Sequence, residues 1–378
     1  MRQVLFTIPP GIPIYGYGAM LFLAFVGCIW LAKRLGKREG IHPDVFSDLA
    51  LWLFLFGILG ARLTFVIEEW KNFRSIWQIV AIWDGGLVFY GSIFGAIVGY
   101  FIGERFIQRK HPYDRWKILD VIAPCVALGL CLGRLGCLLN GCCYGNLINI
   151  ECEACSHVLT FPLAGAPRYA LVDRGYQTTA GFTVERDMQR RVEFVEPESE
   201  AKKAGLRVGD MILKVNDADV IQIEKGNEYF NRLHESFRGL WPRGKNDLTL
   251  VVRGADERVR EVGPFAPRTL PLHPTQLYET ISMALMLFFL VSYYPYKTRD
   301  GILMFLLMAG YGVHRFLNEL LRTDNELVAF NMTLSQNISI LVLICAAILG
   351  MVIWRRARNA GEADCTHHAP RDDSLQRP

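Results

Sequence analysis

A charge bias is what this sequence most plainly lacks. Its 41 Lys and Arg face 37 Asp and Glu, a formal net charge of +4, which gives no support to nucleic-acid binding. A zinc-protease motif is missing too. His234-Glu235 is followed by Ser236-Phe237-Arg238, without the second histidine that H-E-x-x-H requires. No Ser–His pair is convincingly placed in the apolar runs either, so an intramembrane protease is set aside. Cys-x-x-Cys occurs once, Cys152 to Cys155, and lacks the matching pair of a zinc ribbon. A cleavable signal peptide is not expected: Pro9, Pro10 and Pro13 interrupt the start, and no A-x-A-like site follows a short apolar core. The chain is 51% hydrophobic with a mean hydropathy of +0.21, too low for membrane throughout.

What is present explains that intermediate value. Residues 1–140 and 274–354 carry long apolar runs, and 146–270 is polar and charged. A hydrocarbon core needs about 20 apolar residues per helix, and candidate spans start near Tyr17, Val45, Leu87, Ile118, Thr275, Gly301 and Leu334. Lys33, Arg34, Lys37 and Arg38 follow the first; Arg105, Arg109, Lys110, Arg115 and Lys117 follow the third. Lys297 and Arg299 follow the fifth, and Arg355, Arg356 and Arg358 the last. The positive-inside rule puts all four sets in the cytoplasm if there are about seven spans. The N-terminus and the 146–270 insert then lie outside. Trp70, Trp77 and Trp83 fall in an outer loop, as interfacial anchors. The polar tail, residues 355–378, is expected to be disordered and cytoplasmic.

Polar strings gather at the outer ends of these runs. Trp83-Asp84-Gly85-Gly86-Leu87-Val88-Phe89-Tyr90-Gly91 begins the third span; Gly133-Arg134-Leu135-Gly136, then Asn140-Gly141 and Gly145, ends the fourth. His273-Pro274-Thr275-Gln276-Leu277-Tyr278-Glu279 begins the fifth, and Glu319-Leu320-Leu321-Arg322 ends the sixth. Four segments arriving at one depth suggest one site. A guanidinium costs about 2.5–3.5 kcal/mol at a helix centre on insertion scales, so Arg134 calls for an anionic partner, with lipid phosphate the obvious candidate. Arg62 and Arg315 are as open to snorkelling to the interface as to a role in the site, and His273 beside Pro274 reads more as a cap of the fifth span than as a catalytic group.

Cysteines cluster at the same end: Cys137, Cys142 and Cys143, with Cys152 and Cys155 beyond. Their spacing permits zinc, but disulfides or free thiols are the leading expectation on an outer face, ahead of metal or catalytic redox use. Cys28, Cys125, Cys131 and Cys345 read as small apolar helix residues.

Within the insert, Glu198 to Asp217 (ESEAKKAGLRVGDMILKVND) resembles the central stretch of a bacterial PDZ domain, a resemblance extending over about 178–255. Gly205 and Gly209 suit turns with unusual dihedrals. Met211 to Val215 alternates as a half-buried strand, and Leu248 to Arg253 reads as a closing strand. Such a domain binds an extended peptide by strand addition; Ala180-Gly181-Phe182-Thr183 is the nearest match to its carboxylate loop. An insert that only packs or spaces is the equal alternative.

The ordered set resembles prolipoprotein diacylglyceryl transferase. It comprises Tyr17-Gly18, Gly60-Ala61-Arg62, the four strings above, Gly310-Tyr311-Gly312 and Arg315. The resemblance implies an α-helical polytopic protein of the bacterial inner membrane with a small α+β PDZ-like extracytoplasmic insert. The segments would be four spans in 1–145, the insert in 146–270 and three spans in 271–354. It implies transfer of the diacylglyceryl group of phosphatidylglycerol to the lipobox cysteine of a preprolipoprotein, forming a thioether. It implies no cofactor and no metal. By resemblance Arg134 binds the lipid phosphate, Arg322 has a second electrostatic role, and Tyr17 and Asn140 position the headgroup. Gly145, His273 and Glu319 complete the substrate side. Tyr90 stands where many members have the His assigned as base, and Cys137 and Cys142 replace Asn and Glu of the best-known pattern. The alternative is a diverged or inactive membrane protein that binds a peptide through the PDZ-like insert.

Overall fold

The computed structural model describes residues 4–9, 11–70, 77, 79, 86, 88–148, 160, 166–185, 191–216, 218–219, 247–322 and 327–367. An N-terminal hairpin, β1 (Val4–Ile8) and β2 (Ile12–Tyr15), leads into α1 (Gly16–Arg38) and α2 (Pro43–Glu68). Helices α3 (Phe89–Lys110) and α4 (Arg115–Asn140) follow. The polar region holds α5 (Ala166–Asp173), β3 (Phe182–Val184), β4 (Val192–Val195), α6 (Glu200–Lys203) and β5 (Met211–Val215). It continues with β6 (Ala218–Asp219), β7 (Leu248–Arg253) and β8 (Val259–Phe265). The last part is α7 (Thr275–Tyr293), α8 (Ile302–Glu319), a hairpin of β9 (Leu327–Ala329) and β10 (Met332–Thr333), and α9 (Leu334–His367).

Helices begin within a few residues of every predicted start. Among the described residues, five are long and apolar enough to cross a membrane: Gly16–Arg38, Pro43–Glu68, Arg115–Asn140, Thr275–Tyr296 and Leu334–Asn359. The last helix runs on to His367, so the chain is still helical past Arg358, where the sequence suggested a disordered tail.

By internal contacts the chain divides into two units. One, comprising 24–129, 283–313 and 340–378, holds a core built on Leu31, Leu35, Val45, Phe46, Ile118, Val121, Leu290 and Leu303. Here α3 presents Gly91, Gly95, Gly99 and Gly103, one residue in four, to α2. A Cβ on Gly95 would sit 2.1 Å from the Phe56 carbonyl oxygen, and one on Gly60 2.3 Å from that of Gly91. Small residues allow backbones to approach this closely where lipid supplies no hydrophobic drive. Arg62 does not snorkel. It is buried, donating from Nε to the Ile79 carbonyl (2.8 Å) and from Nη1 to that of Gly86 (3.1 Å). Lys297, read above as a topogenic charge, pairs with Asp120 at 2.9 Å, Glu39 at 3.0 Å and Asp300 at 3.2 Å.

The other unit comprises 1–23, 130–282 and 314–339. Its polar region forms a four-stranded antiparallel sheet, β6-β5-β7-β8, and the β3–β4 hairpin. Both predicted strands occur with the expected bounds. Alternate residues of β7 (Leu248, Leu250, Val252) are buried with Phe182, Ala201, Leu206, Ile212 and Val262 in a single core. Ser199 caps α6, its Oγ accepting from Lys202 N at 3.2 Å. Gly205 and Gly209 adopt φ of +95° and +89°, the left-handed conformations expected of them.

Candidate functional site

The site lies in this second unit, and its centre is a buried carboxylate. Glu279, on the second turn of α7, is 1% exposed. Its Oε1 lies 3.0 Å from Arg134 Nε on α4, and its Oε2 lies 3.7 Å from Arg315 Nη1 on α8. Asn318 Nδ2 donates to Oε2 at 3.3 Å. One turn along α8, Glu319 pairs with Arg315 Nη2 at 2.9 Å and accepts from Thr333 Oγ1 at 3.0 Å. Arg315 Nη2 also donates to Ser335 Oγ at 2.7 Å. Two acids and two arginines thus alternate as Arg134–Glu279–Arg315–Glu319. Burying charges is tolerable only when they are paired in this way. Arg134 keeps 19% of its side chain exposed, so one end of this chain of charges reaches a surface where a substrate anion could meet it.

Next to Arg134 the end of α4 folds back. Gly141, at φ +78°, donates its N–H to Leu138 O at 3.3 Å, and Cys142 N donates to Cys137 O at 3.1 Å. These are the two bonds of a Schellman motif, and they bring Cys142 beside Cys137. Cys143 follows at φ +61°. The turn is held from α7: Gln276 Nε2 donates to Cys142 O at 2.6 Å, and Thr275 Oγ1 to Cys143 O at 2.7 Å. The three sulfurs lie within 4.8 Å of one another, and all three are free thiols. The Cys143 thiol is drawn below its ordinary range, first by hydrogen bonds with Cys137 and Cys142 and then by the charges of Arg134 and Arg322, against the effect of burial. Cys152 and Cys155 lie outside the described residues.

The structure gathers most of the predicted site. Tyr17, on the first turn of α1, lies within electrostatic reach of Arg134 and the three thiols. Asn140, the last residue of α4, hydrogen-bonds the Cys142 side chain. Arg322 follows α8, its N–H bonded to Glu319 O at 3.0 Å. Glu319 is buried within the ionic chain and faces Arg315 and Thr333, while His273 Nδ1 sits 3.3 Å from the Tyr278 hydroxyl. Gly145 has a packing role: its N–H bonds His273 O at 2.8 Å, and a Cβ there would lie 2.8–2.9 Å from His273, Thr275 and Leu321 atoms. Tyr90 belongs to α3, but its side chain lies outside the described residues.

Asn318, Thr333 and Ser335 lie outside the strings read from the sequence, and Thr275, Gln276 and Glu279 were given no role of their own within theirs. Arg315 and Glu319 carried a signal, being four residues apart on one helix face. Glu279 closes the His273–Glu279 string, but only the fold shows it between two arginines.

Five membrane-length apolar helices among the described residues define a multi-pass membrane protein, and the buried arginine–carboxylate chain marks its candidate site. Comparison with known proteins identifies it further: residues 3–354 match the family of prolipoprotein diacylglyceryl transferase, and the chain belongs to that family. A Rhodopirellula baltica protein named phosphatidylglycerol–prolipoprotein diacylglyceryl transferase is 30% identical over 94% of this chain and 75% of its own. Proteins of the same name from Synechocystis sp. (33% identical) and Clostridium tetani (36%) match 42% and 39% of this chain and 53% and 57% of their own. The protein is accordingly a multi-pass protein of the bacterial inner membrane.

Proposed function

We propose that this chain moves the diacylglyceryl group of phosphatidylglycerol onto the lipobox cysteine of a preprolipoprotein, releasing glycerol phosphate. Family membership across 3–354 supports the reaction and disfavours the reading as an inactive binding protein. The observation that carries the site is Arg134, part-exposed and fixed from behind by buried Glu279. A planar guanidinium so held donates paired hydrogen bonds to phosphate oxygens and opposes the negative charge that develops as the phosphate leaves. Arg322 supplies the second positive charge, and Tyr17 and Asn140 place the headgroup. Glu319 and His273 hold the frame, and Gly145 lets the chain cross His273 and Leu321 closely. Tyr90 is a hydrogen-bond donor, since a phenol of pKa near 10 is a poor base.

The topology we propose has seven spans, α3 and α8 crossing beside the five most apolar helices. The N-terminus and the 146–270 insert are outside and the C-terminus is cytoplasmic. The insert is PDZ-like and holds an extended segment of a peptide ligand. A cavity of ≈ 640 Å³ lined by Tyr176, Thr179, Ala180, Phe182, Thr183 and Phe194 supports that reading. The test is to incubate purified protein with phosphatidylglycerol and a lipobox peptide and follow glycerol phosphate. Release that requires both the peptide cysteine and Arg134 is expected; release indifferent to the cysteine would reduce the activity to lipid hydrolysis.

A further inference from the structure

Three thiols converge beside the proposed phosphate site, and the transferase reading gives them no task. Their arrangement is built by the backbone. The Schellman turn sets Cys142 against Cys137, and α7 pins the carbonyls of Cys142 and Cys143 through Gln276 and Thr275. Sulfurs around a tetrahedral zinc stand about 3.8 Å apart, given a Zn–S length of about 2.3 Å. Separations within 4.8 Å therefore come to within about 1 Å of that geometry. A pure thiolate donor set is soft and selects zinc-class ions over magnesium or calcium. Three protein ligands leave the fourth position open, as in catalytic zinc sites.

We infer that Cys137, Cys142 and Cys143 bind a zinc ion whose fourth position takes the sulfur of the substrate cysteine. This rests on the transferase reading, and it answers a need of that chemistry. A thiol of pKa near 8.5 is a weak nucleophile until ionised, and Tyr90 is a poor base. As the substrate thiol binds the ion, its proton passes to water. The bound thiolate then donates an electron pair to the glyceryl carbon; the C–S bond forms as the C–O bond to phosphate breaks. That bond's electrons leave on glycerol phosphate, whose charge meets Arg134. No oxidant or reductant is consumed.

The test uses the full-length protein in detergent. About one zinc ion per chain is expected by metal analysis, lost in Cys142→Ser and in Cys137→Ser. Cobalt in its place should give thiolate-to-metal charge-transfer absorption. A lipobox peptide should shift that absorption without any phosphatidylglycerol, while the same peptide with Ser in place of Cys should not. Removing the metal should slow transfer about a hundredfold, the scale of a lost general base, and zinc should restore it. Full transfer by metal-free protein, or a disulfide among these three cysteines in active protein, would overturn the site while leaving the transferase reading intact. A cobalt spectrum indifferent to the cysteine peptide would overturn the substrate-binding role. Zinc bound to a protein that transfers nothing would instead sink the transferase reading, and with it that role.

Discussion

Arg134 and Glu279 divide the work at the proposed phosphate site. Arg134→Ala should abolish transfer with the protein still inserted and folded, because the charge opposing the phosphate is gone. Arg134→Lys should recover only part of the rate, since an ammonium lacks the paired geometry; near-normal turnover of the Ala variant would contradict the assignment. Glu279→Ala takes from Arg134 the carboxylate behind it and leaves Arg315 with Glu319. Removing one partner of a buried pair costs about 3–5 kcal/mol, so thermal unfolding in detergent should show a large loss of stability together with lost activity. Glu279→Gln should lose less stability, keeping the bond from Asn318. Tyr90→Phe should lower the rate appreciably and Tyr90→His should be tolerated; a silent Phe variant would leave the hydroxyl without a role.

Among the elements, the pairing of α2 with α3 depends on the smallest side chains. Gly95→Ala forces a methyl against the Phe56 carbonyl and should cost about 1–3 kcal/mol, read as a lower unfolding temperature; Gly95→Leu should prevent folding. An unchanged unfolding temperature for both would mean that the helices separate without penalty. The helices were legible in the sequence because hydropathy and basic loops recur at membrane-length intervals. The strands Met211–Val215 and Leu248–Arg253 were legible because apolar residues alternate. The ionic chain was not, because it joins α4, α7 and α8, and no period within one helix reveals which acid meets which arginine. Arg315 shows the limit: in sequence it is as open to snorkelling as to pairing, and only the fold supplies Glu279 and Glu319. The thiol cluster likewise depends on Gly141 turning the chain back, so spacing alone left zinc, disulfide and free thiol all open.

At the scale of the whole molecule, the proposed topology sets the 146–270 insert on the same side as the site. The weak peptide site proposed for the insert would, if tethered there, raise the effective concentration of substrate near Arg134. Replacing residues 165–268 with a short flexible linker should leave turnover of a short lipobox peptide unchanged. It should raise the apparent KM for a full-length precursor by about tenfold or more. Equal apparent affinity before and after the deletion would rule out substrate capture, and a reporter in the insert that proved cytoplasmic would overturn the topology. The central claim is transfer to sulfur, and mass spectrometry of the lipobox peptide after incubation with the purified protein and phosphatidylglycerol tests it most directly. The account predicts a peptide heavier by one diacylglyceryl group, attached through a thioether at the cysteine and absent with Arg134→Ala; a peptide of unchanged mass beside intact phosphatidylglycerol would contradict it.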